Sequence, residues 1–380
     1  MIALLVPLFV GCPGETDTDT ADTAEEGPTE CDYESGHICT FAGYQGLAAL
    51  GQEDIPANES YLYLPQDLDF SPAGDAYILD WNNHRIRKID DQGMMSTIAG
   101  NGLLGDGPVG DARLASFNHP TQLSFAADGT LLLAAWHNSR IERIDLATNL
   151  LSFVAGTGSR SFGGDDGVAT AGVLDLPSSV VEGPDGTLYI SDSANQRIRT
   201  VTTDGIIHTY GGNGTAGYAG DGGEVATAQF NNPKGQQAAP AGRLALSSDG
   251  MLYVADTLNQ RIRVIDLAEG TIETFAGNGS PGFGGDGGPA ADAMLFNPTD
   301  IAIGLDGEVY IADTENSCVR VVQAGTISTF AGICTEPDYT GDNGAAAAAR
   351  INKPYGVAVD ADGNVYIADT YNHSIRAVWR

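Results

Sequence analysis

The chain has 380 residues, with 50 Asp and Glu against 18 Lys and Arg and a formal net charge of −32. That balance argues against a nucleic-acid partner, whose phosphates call for clustered cations, and against docking of the folded surface on an anionic bilayer. Hydrophobic residues make up 42% of the chain and Gly contributes 50 positions, so a core can be buried, wholesale disorder is excluded, and many tight turns are expected.

Residues 1–12 run MIALLVPLFVGC and are apolar up to Cys12. They are too short for a bilayer span, which takes about 20 residues, and read as the hydrophobic part of a secretory signal. Phe9-Val10-Gly11-Cys12 resembles the lipobox of bacterial lipoproteins, which implies lipidation at Cys12. It departs from that pattern in having Phe9 where Leu is usual and no Lys or Arg before the apolar run. Residues 13–35 are rich in Thr and Asp, with no Lys or Arg. They cannot bury enough surface to offset ordering entropy, and their like charges extend them into a tether.

From residue 36 a repeat takes over. A short β-type segment ending in Gly recurs at Gly43, Gly100, Gly156, Gly212, Gly277 and Gly332, and Pro65, Pro120, Pro177, Pro233, Pro298 and Pro354 open successive units. Each unit alternates apolar and polar residues through four predicted strands, as in PTDIAIGLDG, EVYIAD, CVRVVQ and TISTFAG. An Asp-Gly hairpin turn joins the first two strands in five units, and Ala73-Gly74 replaces it in the first. The fourth unit carries an insertion around Gly235–Arg243. The C-terminal SIRAVWR is a third strand without a fourth, and HICTFAG near the N-terminus is a fourth strand without its first three. The N-terminal strand is therefore expected to complete the last unit. That predicts an all-β, six-bladed β-propeller of four-stranded blades over residues 36–380.

YVADTLNQRIRVID, YIADTYNHSIRAV and YILDWNNHRIRKID resemble NHL repeats. The resemblance implies a propeller that serves as a recognition platform for protein, nucleic acid or small ligands. A few relatives are lyases or hydrolases with a metal in the central channel.

The repeated residues read as structural. Asp80 with Arg85, Asp192 with Arg197 and Asp256 with Arg261 are expected to cap a turn and pair across strands. Asn83, Asn138, Asn195, Asn259, Asn316 and Asn372 are expected to hold left-handed backbone in the same turn. In the inter-blade loops, Asp106, Asp165, Asp221, Asp286 and Asp342 are expected to cap a short helical turn; a ring of Ca²⁺ sites is the alternative, and beyond Ca²⁺ or another divalent metal no cofactor is expected. Phe117, Leu174, Phe230, Phe296 and Ile351 are expected to plug the gaps between blades.

Irregularities within a repeat are where specific function sits. Trp81 and Trp136 replace a Ser or Thr, and blade 2 also has Ala135 in place of Asp and adds His137. Trp81, Trp136 and His137 thus form the expected binding patch on one face, and the insertion is expected either to overhang the channel or to be a tolerated loop. The six His show no HxH or HExxH spacing, and there is no GxSxG elbow. His119 and Asp300, at the mouths of inner strands, are the residues an enzyme reading would use. Four Cys follow Cys12, and the pairs Cys31–Cys39 and Cys318–Cys334 are expected, with a cross-pairing of blades 6 and 5 as the alternative. The sequence reads as a monomeric, exported, lipid-anchored propeller that touches the membrane only through its anchor. It would bind a protein, peptide or glycan; the alternative is a metal-dependent lyase or hydrolase at the channel.

Overall fold

The computed structural model describes residues 30–44, 46–235 and 237–380, so Cys12 and the tether up to residue 29 lie outside the described residues. Six antiparallel sheets surround a central axis. The inner strands are Asp67–Phe70, Gln122–Phe125, Pro177–Glu182, Leu244–Leu246, Asp300–Ile303 and Gly356–Val359. Blade 3 is typical: Pro177–Glu182, Leu188–Asp192, Arg197–Val201 and Ile206–Gly211 pair in that order from the axis outward. The expected four strands gain a fifth in five blades, where the inter-blade loop lays two residues, such as Gly167–Val168, along the outer edge. This blunts an edge that would otherwise expose unpaired backbone groups.

The ring closes as expected. His37–Ala42 pairs with Ser374–Val378, Ile38 facing Val378 and Cys39 facing Ala377. Cys31–Cys39 and Cys318–Cys334 both form, with Cα–Cα distances of 5.6 and 5.0 Å. The core lies between blades. The third residue before each Pro wedges into the gap: Phe117, Leu174, Phe230, Leu295 and Ile351 are buried. In blade 5 the wedge is Leu295 and not Phe296, which is 36% exposed. The glycine ending each fourth strand is required. At Gly212, φ is +82°, and a Cβ would lie 2.4 Å from the Gln196 carbonyl oxygen.

The buried charges are arranged differently from the sequence expectation. The arginine that meets each Asp is two residues beyond the expected one: Arg87, Arg199, Arg263, Arg320 and Arg376, all fully buried. Arg199 donates to Asp192 at 3.2 Å and also pairs with Asp165 of the loop. Asp192 in turn accepts from the Asp175 and Asn195 nitrogens at 2.8 and 2.9 Å. Burial pushes Asp80, Asp192, Asp256, Asp313 and Asp369 up to about 6, although each lies beside a guanidinium. The loop acids Asp165, Asp221, Asp286 and Asp342 likewise turn to these arginines. They do not cap the 3-10 turns that follow, because a buried guanidinium is the stronger partner. The turn asparagines are not the left-handed residues. Their side chains bond the Asp and a loop carbonyl, as Asn259 does to Asp256 and Gly217, and the next residue adopts positive φ, as at Gln260.

Candidate functional site

The residue after the second strand stitches each blade to the next. In blades 4, 5 and 6 the hydroxyls of Thr257, Thr314 and Thr370 donate to the carbonyls of Pro298, Pro354 and Pro65, each at 2.7 Å. Blades 1 and 2 place indoles there instead, and the interblade contact becomes apolar. Trp136 is 2% exposed and packs with Leu176 and Ala194 of blade 3, with Ala238 of the insertion at the edge of the cluster. Trp81 is half-buried and lies 4.4 Å from the ring of His119. His119 is held in left-handed backbone, φ +52°, directly before Pro120.

The three expected binding residues therefore converge, but they do so through His119. The ring of His119 lies 5.3 Å from that of His137, and His137 stacks on Trp136 at 4.1 Å and 15°. His84 joins at 4.9 Å from His119. The patch exposes one indole and three imidazoles, because the second indole is buried. Burial pulls His119 and His137 down to about 4 and lowers His84, with neighbouring imidazoles adding to the effect at His119 and Arg160 at His137. All three are neutral near pH 7. Trp81 Nε1, His84 Nδ1 and His137 Nε2 are buried and find no hydrogen-bond partner among the described residues. These three nitrogens, on rings that adjoin His119, are polar capacity that the described residues leave unused. Among the described residues, His84, His119 and His137 do not bring their ligand nitrogens close enough together to share a metal ion. At the rim, Asp32, Glu34 and His37 bring their ligand atoms close enough to share an ion.

The insertion does more than overhang the channel. It ends at Arg243, 1% exposed, whose guanidinium sits on the axis at the upper mouth. It donates to Asp67 and Asp300 at 3.1 Å each, to the Tyr355 carbonyl at 3.0 Å, to the Gln66 carbonyl at 2.9 Å and to the Thr121 carbonyl. Asp300 is thus an ion-pair partner of Arg243, and His119 belongs to the aromatic patch.

Sequence reasoning missed one more departure in blade 2. Across the repeat, the position facing the buried arginine on the fourth strand is Thr40, Thr97, Thr209, Thr274 or Thr329. Blade 2 has Ala135, Glu142 and Phe153 in place of Asp, Arg and Thr, so the whole polar unit is exchanged. Glu142 is 3% exposed, and its Oε2 has no partner among the described residues. Asn138 takes over the lost capping role, its Oδ1 accepting from the Asn118 nitrogen at 2.9 Å.

Residues 297–322 and 352–377 match the NHL repeat family model. The chain is 29% identical over 283 residues to the protein SUPPRESSOR OF QUENCHING 1, chloroplastic, of Arabidopsis thaliana, a match covering 70% of this chain and 25% of that protein. It is 28% identical to the NHL repeat-containing protein 2 of Bos taurus, covering 74% of this chain and 42% of that one. The chain thus spans less than half the length of these relatives. Among solved structures, an auxiliary nutrient binding protein from Bacteroides thetaiotaomicron superposes with a TM-score of 0.63 at 16% identity, covering 90% of this chain and 75% of that one. That likeness establishes the shared fold.

Proposed function

We propose that this chain, an NHL-repeat β-propeller, is an exported binding module that takes a protein, peptide or glycan ligand on its upper face. The observation that carries the reading is the run of rings from Trp81 through His119 to His137, with three buried nitrogens left unpartnered. An indole beside neutral imidazoles offers stacking surface and hydrogen-bond capacity together, the combination that peptide side chains and sugar rings use. The fold it shares with a protein described as nutrient binding is compatible with such a role. Screening the purified chain on glycan and peptide arrays, followed by titration of the hits, tests it. Trp81→Ala is expected to weaken binding about tenfold or more, with circular dichroism checking that the variant stays folded, because Trp81 also packs against the Trp136 cluster between blades. Hits that bind the variant undiminished would sink the reading.

Two disulfides fit an oxidising compartment, and the lipobox-like segment supports an anchor at Cys12. Metabolic labelling with a fatty-acid analogue should mark the parent and not Cys12→Ser; equal labelling of both rejects the anchor. The alternative of a metal-dependent lyase or hydrolase at the channel has less support. The two carboxylates at the upper mouth, Asp67 and Asp300, are already engaged by Arg243.

A further inference from the structure

Below the Arg243 plug the channel opens toward the face of the Asp-Gly hairpins. A cavity of 240 Å³ lies on the axis beneath the plug, and a second of 480 Å³ adjoins it at the lower mouth. Asp69, Ser124, Val181 and Leu246 line both, so the two form one continuous space.

One side chain is out of character in this wall. In register against the second strands, the layer that contains Asp69 is completed by Ser124, Val181, Ala245, Ala302 and Ala358. Five blades supply a small or apolar residue and blade 1 supplies an acid. Asp69 accepts from the Phe70 and Phe125 nitrogens at 2.8 and 3.2 Å, and among the described residues no Lys or Arg lines either cavity. Burial, with Asp300 adding to it, pushes Asp69 up to about 6, which still leaves it ionised at neutral pH. At the mouth, Glu182 accepts from the Ala127 nitrogen and has no cation beside it among the described residues. One layer above, the axis already accommodates a cation, the guanidinium that lies between Asp67 and Asp300.

We propose that the lower channel is a binding site for a small organic cation, an ammonium group on a short apolar chain, with Asp69 as its charge partner. The aliphatic wall of Leu68, Val181, Leu246, Ile303 and Val359 matches methylene groups. A bare Ca²⁺ fits poorly, because it takes six to eight oxygens and this wall offers a single free carboxylate. An amine with a second positive end can place it at Glu182. The upper cavity of 240 Å³ admits a ligand of that size with room left for water.

Calorimetric titration of the full chain at physiological salt with 1,5-diaminopentane, and with 1,5-pentanediol as the uncharged isostere, tests the site. One diamine is expected to bind per chain and the diol not at all. Asp69→Asn should weaken the diamine about tenfold or more. Ser248→Lys places a cation on an exposed mouth residue with little risk to folding and should abolish binding. Trp81→Ala, on the opposite face, should leave diamine binding unchanged. No diamine binding, equal binding of the diol, or binding that survives Ser248→Lys would each overturn the proposal.

Discussion

Glu142 sits in an environment at odds with its chemistry, a buried carboxyl with one oxygen unpartnered among the described residues. Burial is the main cause, Asp106 adds to it and Arg140 opposes it, and together they push its carboxyl up to about 8. The native chain therefore holds a proton that the unfolded chain releases near the ordinary value of 4.5. The folded state binds more protons between those limits, so this residue's contribution to stability falls as pH rises from about 4.5 through about 8. Glu142→Gln removes the proton exchange while keeping the shape. The buried aspartates of the other blades also titrate with raised values, so the difference between the two proteins is the informative quantity. Thermal midpoints measured from pH 5 to 9 should show the parent losing stability relative to Glu142→Gln as pH rises. Parallel curves would refute the assignment.

The blade is the element in which sequence reasoning succeeded and then stopped short. Strand order, the hairpin glycines, the closing strand and both disulfides were legible, because each follows from alternation, from strand pairing or from a backbone conformation that favours glycine. The choice of buried arginine was legible too, had the repeat been read across all blades. Arg85, Arg197 and Arg261 face the Asp across the ladder, but Cys318 and Ser374 occupy that position in blades 5 and 6. The second position keeps arginine in five blades: Arg87, Arg199, Arg263, Arg320 and Arg376. Physically, both side chains leave the same face of the sheet, and only the one a full pleat further from the turn has room for its stem to fold back to the carboxylate. The site was less legible. Trp81, Trp136 and His137 stood out as departures from the repeat, but His119 enters the patch through a left-handed residue before a proline, a conformation the sequence gives no reason to expect of histidine. The burial of Trp136 depends on Leu176 of the next blade and Ala238 of the insertion, contacts that no local pattern encodes.

At the scale of the whole ring, Arg243 is an unusual fastening. It belongs to blade 4, and its guanidinium reaches groups of blades 1, 2, 5 and 6. Blades of a propeller otherwise contact mainly their neighbours, so stability accumulates pair by pair. A single side chain that crosses the axis couples blade 4 to blades 1, 2 and 6, which are not its neighbours in the ring. Only the insertion hinted at it, since the contacts span up to 177 residues of sequence. Burial holds Asp67 well above and Asp300 above the usual carboxylate range, and Arg243 is the cation that offsets part of that rise in both. Arg243→Met keeps much of the volume and leaves two buried carboxylates without a cation. Breaking such a pair from one side costs about 3–5 kcal/mol, and a loss of that size is expected in urea unfolding at pH 7.5. The loss should shrink at pH 5, where the stranded carboxylates take up protons and the burial of their charge no longer has to be offset. The parent and the variant are compared by unfolding midpoint and slope at both pH values. If the substitution leaves the midpoint unchanged at pH 7.5, Arg243 merely fills space on the axis, and the ring holds together by neighbour contacts alone.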